Sequence, residues 1–292
     1  MEYQITHITE YEYFQPIAIC HNIAKLLVRN TSDQQSIKTN INISPEPDRI
    51  SEYVDFFGNK VLYFAIQQEH KKLTVSIQSI IEKTISSPIQ VNIYSDLAWN
   101  EIPALLLDVT PEHITAKQFI SETDYTKTSS EIHEYALKSF INGRSFFEST
   151  KELMQRIYTD FEFKPGSTNV TTPLIEVMKE RKGVCQDFAH LAIACVRSVG
   201  LPARYVSGYI ETAAPEGKEK LFGVDASHAW FSIYIPNTGW IDFDPTNNII
   251  PSQQHITIGW GRDYADITPL KGVIVSSGKH KLSVSVDVRR IR

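Results

Sequence analysis

A chain of 292 residues and 33.2 kDa exceeds the common domain size of about 100–150 residues, so two domains are expected. Hydrophobic residues make up 42% and charged residues 22%, enough apolar material for a packed core and too little charge for a disordered chain. The 29 basic and 34 acidic residues give a net charge of −5, which offers no basic footprint for nucleic acid or for an anionic membrane surface. The first residues carry an acid at Glu2 and none of the apolar run of a secretory signal, and no stretch approaches the ~18 apolar residues of a membrane helix. Cys20, Cys185 and Cys195 are too few and too far apart for a disulfide framework or a CxxC zinc site. A reducing, cytoplasmic setting is expected; oligomeric state stays open.

In chain order, β-rich segments recur at residues 3–13, 23–27, 37–43, 52–56, 61–66 and 73–81, with turn signals at Pro45-Glu46-Pro47-Asp48 and Gly58-Asn59. Short strands at this spacing predict an antiparallel β-sandwich-like domain over residues 1–85. The pattern loosens over 86–129, where Ser86-Ser87-Pro88, Pro103 and Pro111 mark a connecting segment. Residues 130–292 then form the second unit. Helical spacing appears at 132–141, 150–158 and 173–181. The strongest periodicity follows: Phe188, Leu191, Ala192, Cys195, Val196 and Val199 fall at i, i+3, i+4, i+7, i+8 and i+11, a buried helical stripe starting near Cys185 and stopped by Gly200 and Pro202. Strands are predicted at 203–212, 227–235 and 240–244, the last two joined by Pro236-Asn237-Thr238-Gly239, and finally at 282–288.

Cys185 lies at the helix start, outside the apolar stripe, where unpaired N–H groups and the positive end of the helix dipole favour a thiolate. Cys195, ten residues on, is about 15 Å away along the helix and reads as a packing residue. A thiolate nucleophile needs a histidine and a group to orient it. Of nine histidines, His228 stands at the head of a strand on which Trp230, Ser232 and Tyr234 share its face. His190 lies about 140° around the helix from Cys185 and is a poor partner. Asp242 and Asp244 flank Phe243 on the next strand. Asp244 sets opposite His228 if the hairpin turns about residue 236, earlier than the centre of the turn signal, so a bulge or longer bend is needed; Asp242 requires a turn about residue 235.

The strings Gly183-Val184-Cys185-Gln186-Asp187-Phe188-Ala189-His190, Gly200-Leu201-Pro202-Ala203-Arg204-Tyr205-Val206-Ser207-Gly208-Tyr209, His228-Ala229-Trp230 and Trp240-Ile241-Asp242-Phe243-Asp244-Pro245-Thr246-Asn247 closely resemble those of bacterial transglutaminase-like proteins, described as cysteine proteases. The similarity extends to Tyr11-Glu12-Tyr13 and Asp55-Phe56-Phe57-Gly58-Asn59 near the start and to Gly261-Arg262-Asp263-Tyr264-Ala265-Asp266 and Pro269-Leu270-Lys271-Gly272 near the end. The resemblance implies an α+β fold with a papain-like core, a central helix on an antiparallel sheet, and a Cys-His-Asp triad falling on Cys185, His228 and Asp244.

The expected chemistry is attack of Cys185 on a carboxamide or peptide carbonyl of a protein or peptide substrate, giving a thioester that water or a second amine resolves. The Cys185 backbone N–H is the leading oxyanion donor. A second donor is unassigned; the neighbouring Gln186 reads equally as an exposed residue of the first turn, and Asp187 as an early-helix acid. Trp230 and Trp240 are candidates for cleft walls or for strand core. The alternative function is a non-catalytic peptide-binding module using the same cleft. A metal site from Cys185, Cys195, His190 and His228 is disfavoured by the helical separation of the cysteines. With neither GxxxxGK nor HExxH present, no nucleotide, catalytic metal or other cofactor is expected.

Overall fold

A computed structural model describes residues 1–84, 97–212, 227–274 and 278–292. In chain order the elements are β1 (Glu2–Ile17), β2 (Cys20–Ala24), β3 (Gln34–Ser44), β4 (Arg49–Val54), β5 (Lys60–Ile66), β6 (His70–Lys83), α1 (Ile102–Leu105), α2 (Pro111–Lys117), α3 (Ser130–Leu137), α4 (Phe146–Asp160), β7 (Glu162–Phe163), α5 (Leu174–Glu180), β8 (Lys182–Gly183), α6 (Cys185–Ser198), β9 (Ala203–Ile210), β10 (Ser227–Ile235), β11 (Gly239–Phe243), β12 (His255–Gly261), β13 (Leu270–Ile274) and β14 (His280–Arg290).

All six N-terminal strands expected from the alternation are present, and they fold as two facing sheets. The sheets are completed by the other end of the chain: their orders are β14-β1-β6-β3 and β13-β2-β5-β4. Strands β13 (270–274) and β14 (280–290), expected with the second unit, are therefore hydrogen-bonded into the first, β14 running antiparallel to β1 from Tyr3↔Arg290 to Tyr13↔His280. Between the two sheets, Ile17, Leu62, Phe64, Ile66, Leu73 and Val75 form one buried cluster, each side chain contributing about 1.5–3 kcal/mol by leaving water. The expected connecting segment is also more structured than a linker. Residues 86–96 lie outside the described residues, but α1 and α2 follow, and Ile102, Leu106 and Ala116 enter the main core. Thr110 caps α2 by accepting from the His113 N–H, with Pro111 in the first turn, a start signal legible in the sequence.

The main core is α6 laid on the sheet β11-β10-β9-β12. Phe188, Leu191, Ala192, Cys195 and Val196 are buried against Ala203, Tyr205, Ala229, Phe231 and Ile233, so the predicted stripe is the packed face. At the far end of α6 the buried Arg197 guanidinium donates to the carbonyls of Phe119, Ala203 and Arg262 and to Thr126 Oγ1, tying the helix to the connecting segment and to the loop after β12. A third cluster, including Tyr3, Ile5, Tyr209, Ile256, Val286 and Val288, joins the sandwich to the core sheet.

Gly208 on β9 marks a close approach in that sheet. A Cβ there would stand 2.1 Å from the Ile256 carbonyl oxygen and 2.5 Å from the Trp230 ring. Gly208→Ala is expected to destabilise the fold by roughly 3 kcal/mol, since neither backbone nor a buried indole yields cheaply. Chemical denaturation should show the loss as a lower midpoint, and an unchanged midpoint would contradict the packing described.

Candidate active site

The start of α6 is fixed by its own sequence. Val184 stands at the N-cap with extended backbone and offers no side-chain acceptor. Asp187, at the third helical position, reaches back to accept the Val184 N–H at 2.8 Å and also accepts from Thr168 Oγ1 at 2.6 Å. This half of a capping box anchors the first turn to the 164–173 loop. Burial pushes the Asp187 carboxyl above its ordinary value, against the opposing pull of its two donors. Cys185, the first residue of the helix, is half-buried, and its backbone N–H is one of the amides a helix leaves without an internal acceptor.

His228 opens β10 beside it. Its Nε2 donates to Asp244 Oδ2 at 2.7 Å, leaving Nδ1 as the ring nitrogen not committed to the carboxylate. Burial alone pulls the imidazole down, but hydrogen bonds to Asp244 and Cys185 and their charges outweigh it and lift His228 to about 10. Burial likewise pushes Asp244 up, yet the N–H donors of His228 and His255, the His228 charge and Asn247 hold its carboxyl well below the usual carboxylate range.

The hairpin reaches this geometry without the bend that spacing seemed to require. Its register pairs Ser232 with Asp242 and Ile235 with Gly239, centring the turn on residue 237, where the turn residues lie. Asp244, just past β11, is diagonal to His228 rather than opposite it, within reach of a cross-strand side-chain contact. An isolated bridge between Asp244 and Ile249 holds the backbone there. Asp242, the other acid of the pair, instead accepts from Trp230 Nε1 at 2.8 Å.

Two partners of Asp244 escaped the sequence reading. His255, at the head of β12, directs Nε2 to the same Oδ2 at 2.9 Å, and Asn247 Nδ2 does so at 2.7 Å. Oδ1 accepts the N–H groups of Thr246 and Asn247. The carboxylate is thus held from every side, with both imidazoles carrying hydrogen on Nε2. Asn247 falls within the quoted motif, three residues beyond Asp244. His255 had no local signal beyond its alternation with Thr257, because only the β9–β12 pairing brings it here.

Trp230 sits with this group, fully buried, its ring centroid 6.0 Å from His228 and 5.1 Å from His255. Trp240 packs instead on Phe119, Tyr234 and Arg204. The Gln186 amide donates to the Val170 carbonyl at 3.3 Å, in the loop that anchors the helix start. His190 accepts the Tyr264 N–H at 3.1 Å and stacks between Tyr125 and Tyr205; burial pulls it down to about 3. Cys195 is buried against the Ile132 carbonyl, its thiol pushed up by burial to about 12. Neither belongs to a metal cluster with Cys185. Among the described residues, the ligating atoms of His228, Asp244 and His255 do lie within 4.8 Å of one another. Those atoms already face each other as N–H donors and a saturated acceptor, so a cation could enter only by displacing the protons that hold the carboxylate, and the donor set fits hydrogen bonding.

A papain-like α+β core with cysteine, histidine and aspartate at these positions defines a class, and the chain belongs to the transglutaminase-like superfamily. Residues 136–245 match the core of that superfamily, and residues 3–82 match the bacterial transglutaminase-like N-terminal region. The uncharacterized protein Rv2569c of Mycobacterium tuberculosis is 38% identical over 291 residues, covering 98% of this chain and 92% of the relative. A protein-glutamine gamma-glutamyltransferase of Pseudomonas aeruginosa is 30% identical over 94 residues, 32% of this chain and 14% of that one. Among solved structures, a protein from Cytophaga hutchinsonii titled "a Putative Cysteine Protease" superposes with a TM-score of 0.77 at 22% identity, covering all of this chain and 91% of its own; at that identity the likeness is one of fold.

Proposed function

We propose that the protein is a cysteine-dependent amide-bond hydrolase or acyltransferase acting on protein or peptide substrates. The observation that carries this reading is the placement of His228, hydrogen-bonded to the buried Asp244 at 2.7 Å, within electrostatic reach of Cys185 at the start of α6. An imidazolium beside the sulfur favours the thiolate. Attack of Sγ on a carboxamide or peptide carbonyl forms the C–S bond, with the developing oxyanion facing the Cys185 N–H. The C–N bond then breaks as His228 gives its proton to the departing amine, leaving a thioester. For the second half, His228 takes a proton from water or from an incoming amine, which attacks the thioester and releases Cys185. Asp244 stays ionised throughout and stabilises the imidazolium.

Intact-mass analysis after incubation with a glutamine-containing peptide tests this. The expected result is an acyl adduct accompanied by loss of ammonia or of the amine fragment, absent in Cys185→Ala and discharged by added water-soluble amine. A wild-type protein that binds the peptide without ever forming the adduct would overturn the catalytic reading in favour of a binding module.

A further inference from the structure

On the core sheet, Arg204 of β9 pairs with Ser232 of β10, and Ser232 with Asp242 of β11. Their neighbours Ala203, Phe231 and Ile233 pack on α6, so strand alternation turns this row to the opposite face. There the Arg204 guanidinium is sandwiched between two indoles, its carbon 4.2 Å from the Trp240 ring centre and 3.8 Å from that of Trp260; Arg29 covers Trp260 again at 3.5 Å. Arg204 is only 8% exposed and its Nε is buried with no hydrogen-bond partner. Ser232 Oγ beside it and His255 Nδ1 are also buried and unpartnered. The other charges facing this space are occupied: Lys83 donates to the His255 carbonyl and lies 3.4 Å from Asp33, while Asp242 accepts from Trp230. Burial pulls the Arg204 guanidinium down to about 9, against the pull of Asp242. A stacked guanidinium presents only its edge, a planar fork of N–H donors matched to a carboxylate, and a buried N–H without an acceptor, as at Nε, is costly until one arrives. Arg204 lines a pocket of about 410 Å³ together with Lys83, Trp240, Asp242, His255 and Trp260, and neither Cys185 nor His228 belongs to that lining.

We propose that this pocket is a second ligand site, distinct from the nucleophile, which takes a carboxylate on Arg204 with the remainder of the ligand against the Trp240 and Trp260 edges. A small free carboxylate and a peptide C-terminus share that chemistry. Trp230, Trp240 and Trp260 are three of the four tryptophans and lie at or beside the pocket, so intrinsic fluorescence reports its filling without reference to catalysis. The wild-type protein is titrated at constant ionic strength with acetate, succinate, diglycine and diglycine amide. Saturable responses to the carboxylates and none to the amide are expected. A response shared by acetate and succinate assigns the site to free carboxylates, and one confined to diglycine assigns it to peptide ends. Arg204→Met, which keeps an apolar stem between the indoles, is expected to weaken binding roughly tenfold or more with far-UV circular dichroism unchanged. Absence of any saturable response, an equal response to the amide, or wild-type affinity in a folded Arg204→Met would overturn the proposal. Should that variant misfold, the acid-versus-amide comparison on the wild type decides alone.

Discussion

His228→Ala is expected to slow acylation and thioester turnover by about 10²–10⁴-fold, the range of a lost general acid–base, and to slow alkylation of Cys185 by iodoacetamide in parallel. The reason lies in charge as well as proton transfer. With His228 lifted to about 10 by Asp244 and Cys185, a positive imidazolium stands beside the sulfur throughout the neutral range; alanine removes it and leaves only the helix start to favour the thiolate. Labelling reads this cleanly because Cys20 and Cys195 are buried and burial pushes both thiols up. Intact mass should show one fast label on the wild type, a slow one on His228→Ala, and none on Cys185→Ala at the same exposure. Equal labelling rates in the wild type and His228→Ala would show that the histidine does not activate the cysteine.

The second large effect is expected from Asp244→Asn. The carboxylate is fully buried and accepts from His228, His255 and Asn247 and from two backbone N–H groups. An amide keeps one oxygen and turns its NH2 group either toward the two imidazole N–H groups at Oδ2 or toward the backbone N–H groups of Thr246 and Asn247 at Oδ1, so a destabilisation of about 3–5 kcal/mol is expected, as for a buried charge pair broken from one side. Its pH dependence has a defined sign. His228 is raised in the folded state, so its share is complete below the unfolded value of 6.5 and drains away as pH rises through about 10. Asp244 is depressed, so its share is complete above 3.8 and is lost as pH falls below that value. The stability gap between wild type and variant should therefore be widest between about pH 4 and 6.5 and narrow toward pH 10. Denaturant unfolding at pH 5.5, 8 and 10 measures it; a gap that stays constant or widens with pH would contradict the pairing. His255→Gln should reproduce a smaller part of the same loss, since His228 keeps its bond to Asp244.

What the chain disclosed by itself follows the distance over which each feature is encoded. The α6 helix was legible because its stripe from Phe188 to Val196 and its stop at Gly200 lie within one segment, and Cys185 stood out by falling off that stripe. The β10–β11 hairpin was legible as two strands and a turn, yet its register was not, since the contact of Asp244 with His228 is diagonal and occurs just beyond the ladder. His255 and Arg204 illustrate the remainder. Each is an ordinary strand residue until the sheet order β11-β10-β9-β12 sets one against Asp244 and the other between two indoles. The same holds for β13 and β14, whose partners lie at the far end of the chain and leave no local trace.

That closure across the chain bears on how the protein is made. Tyr3 and Arg290 are neighbours across a ladder although they stand 287 positions apart, so the sandwich begun by β1–β6 stays short of an edge strand in each sheet until β13 and β14 are made. The helix α6 and its sheet draw on residues 185–261 and can assemble earlier. Until then the flanks of β1 and β2 that β14 and β13 cover are open to pairing with other chains. A released chain truncated before β13 should accordingly protect the Cys185 region from protease better than residues 2–66.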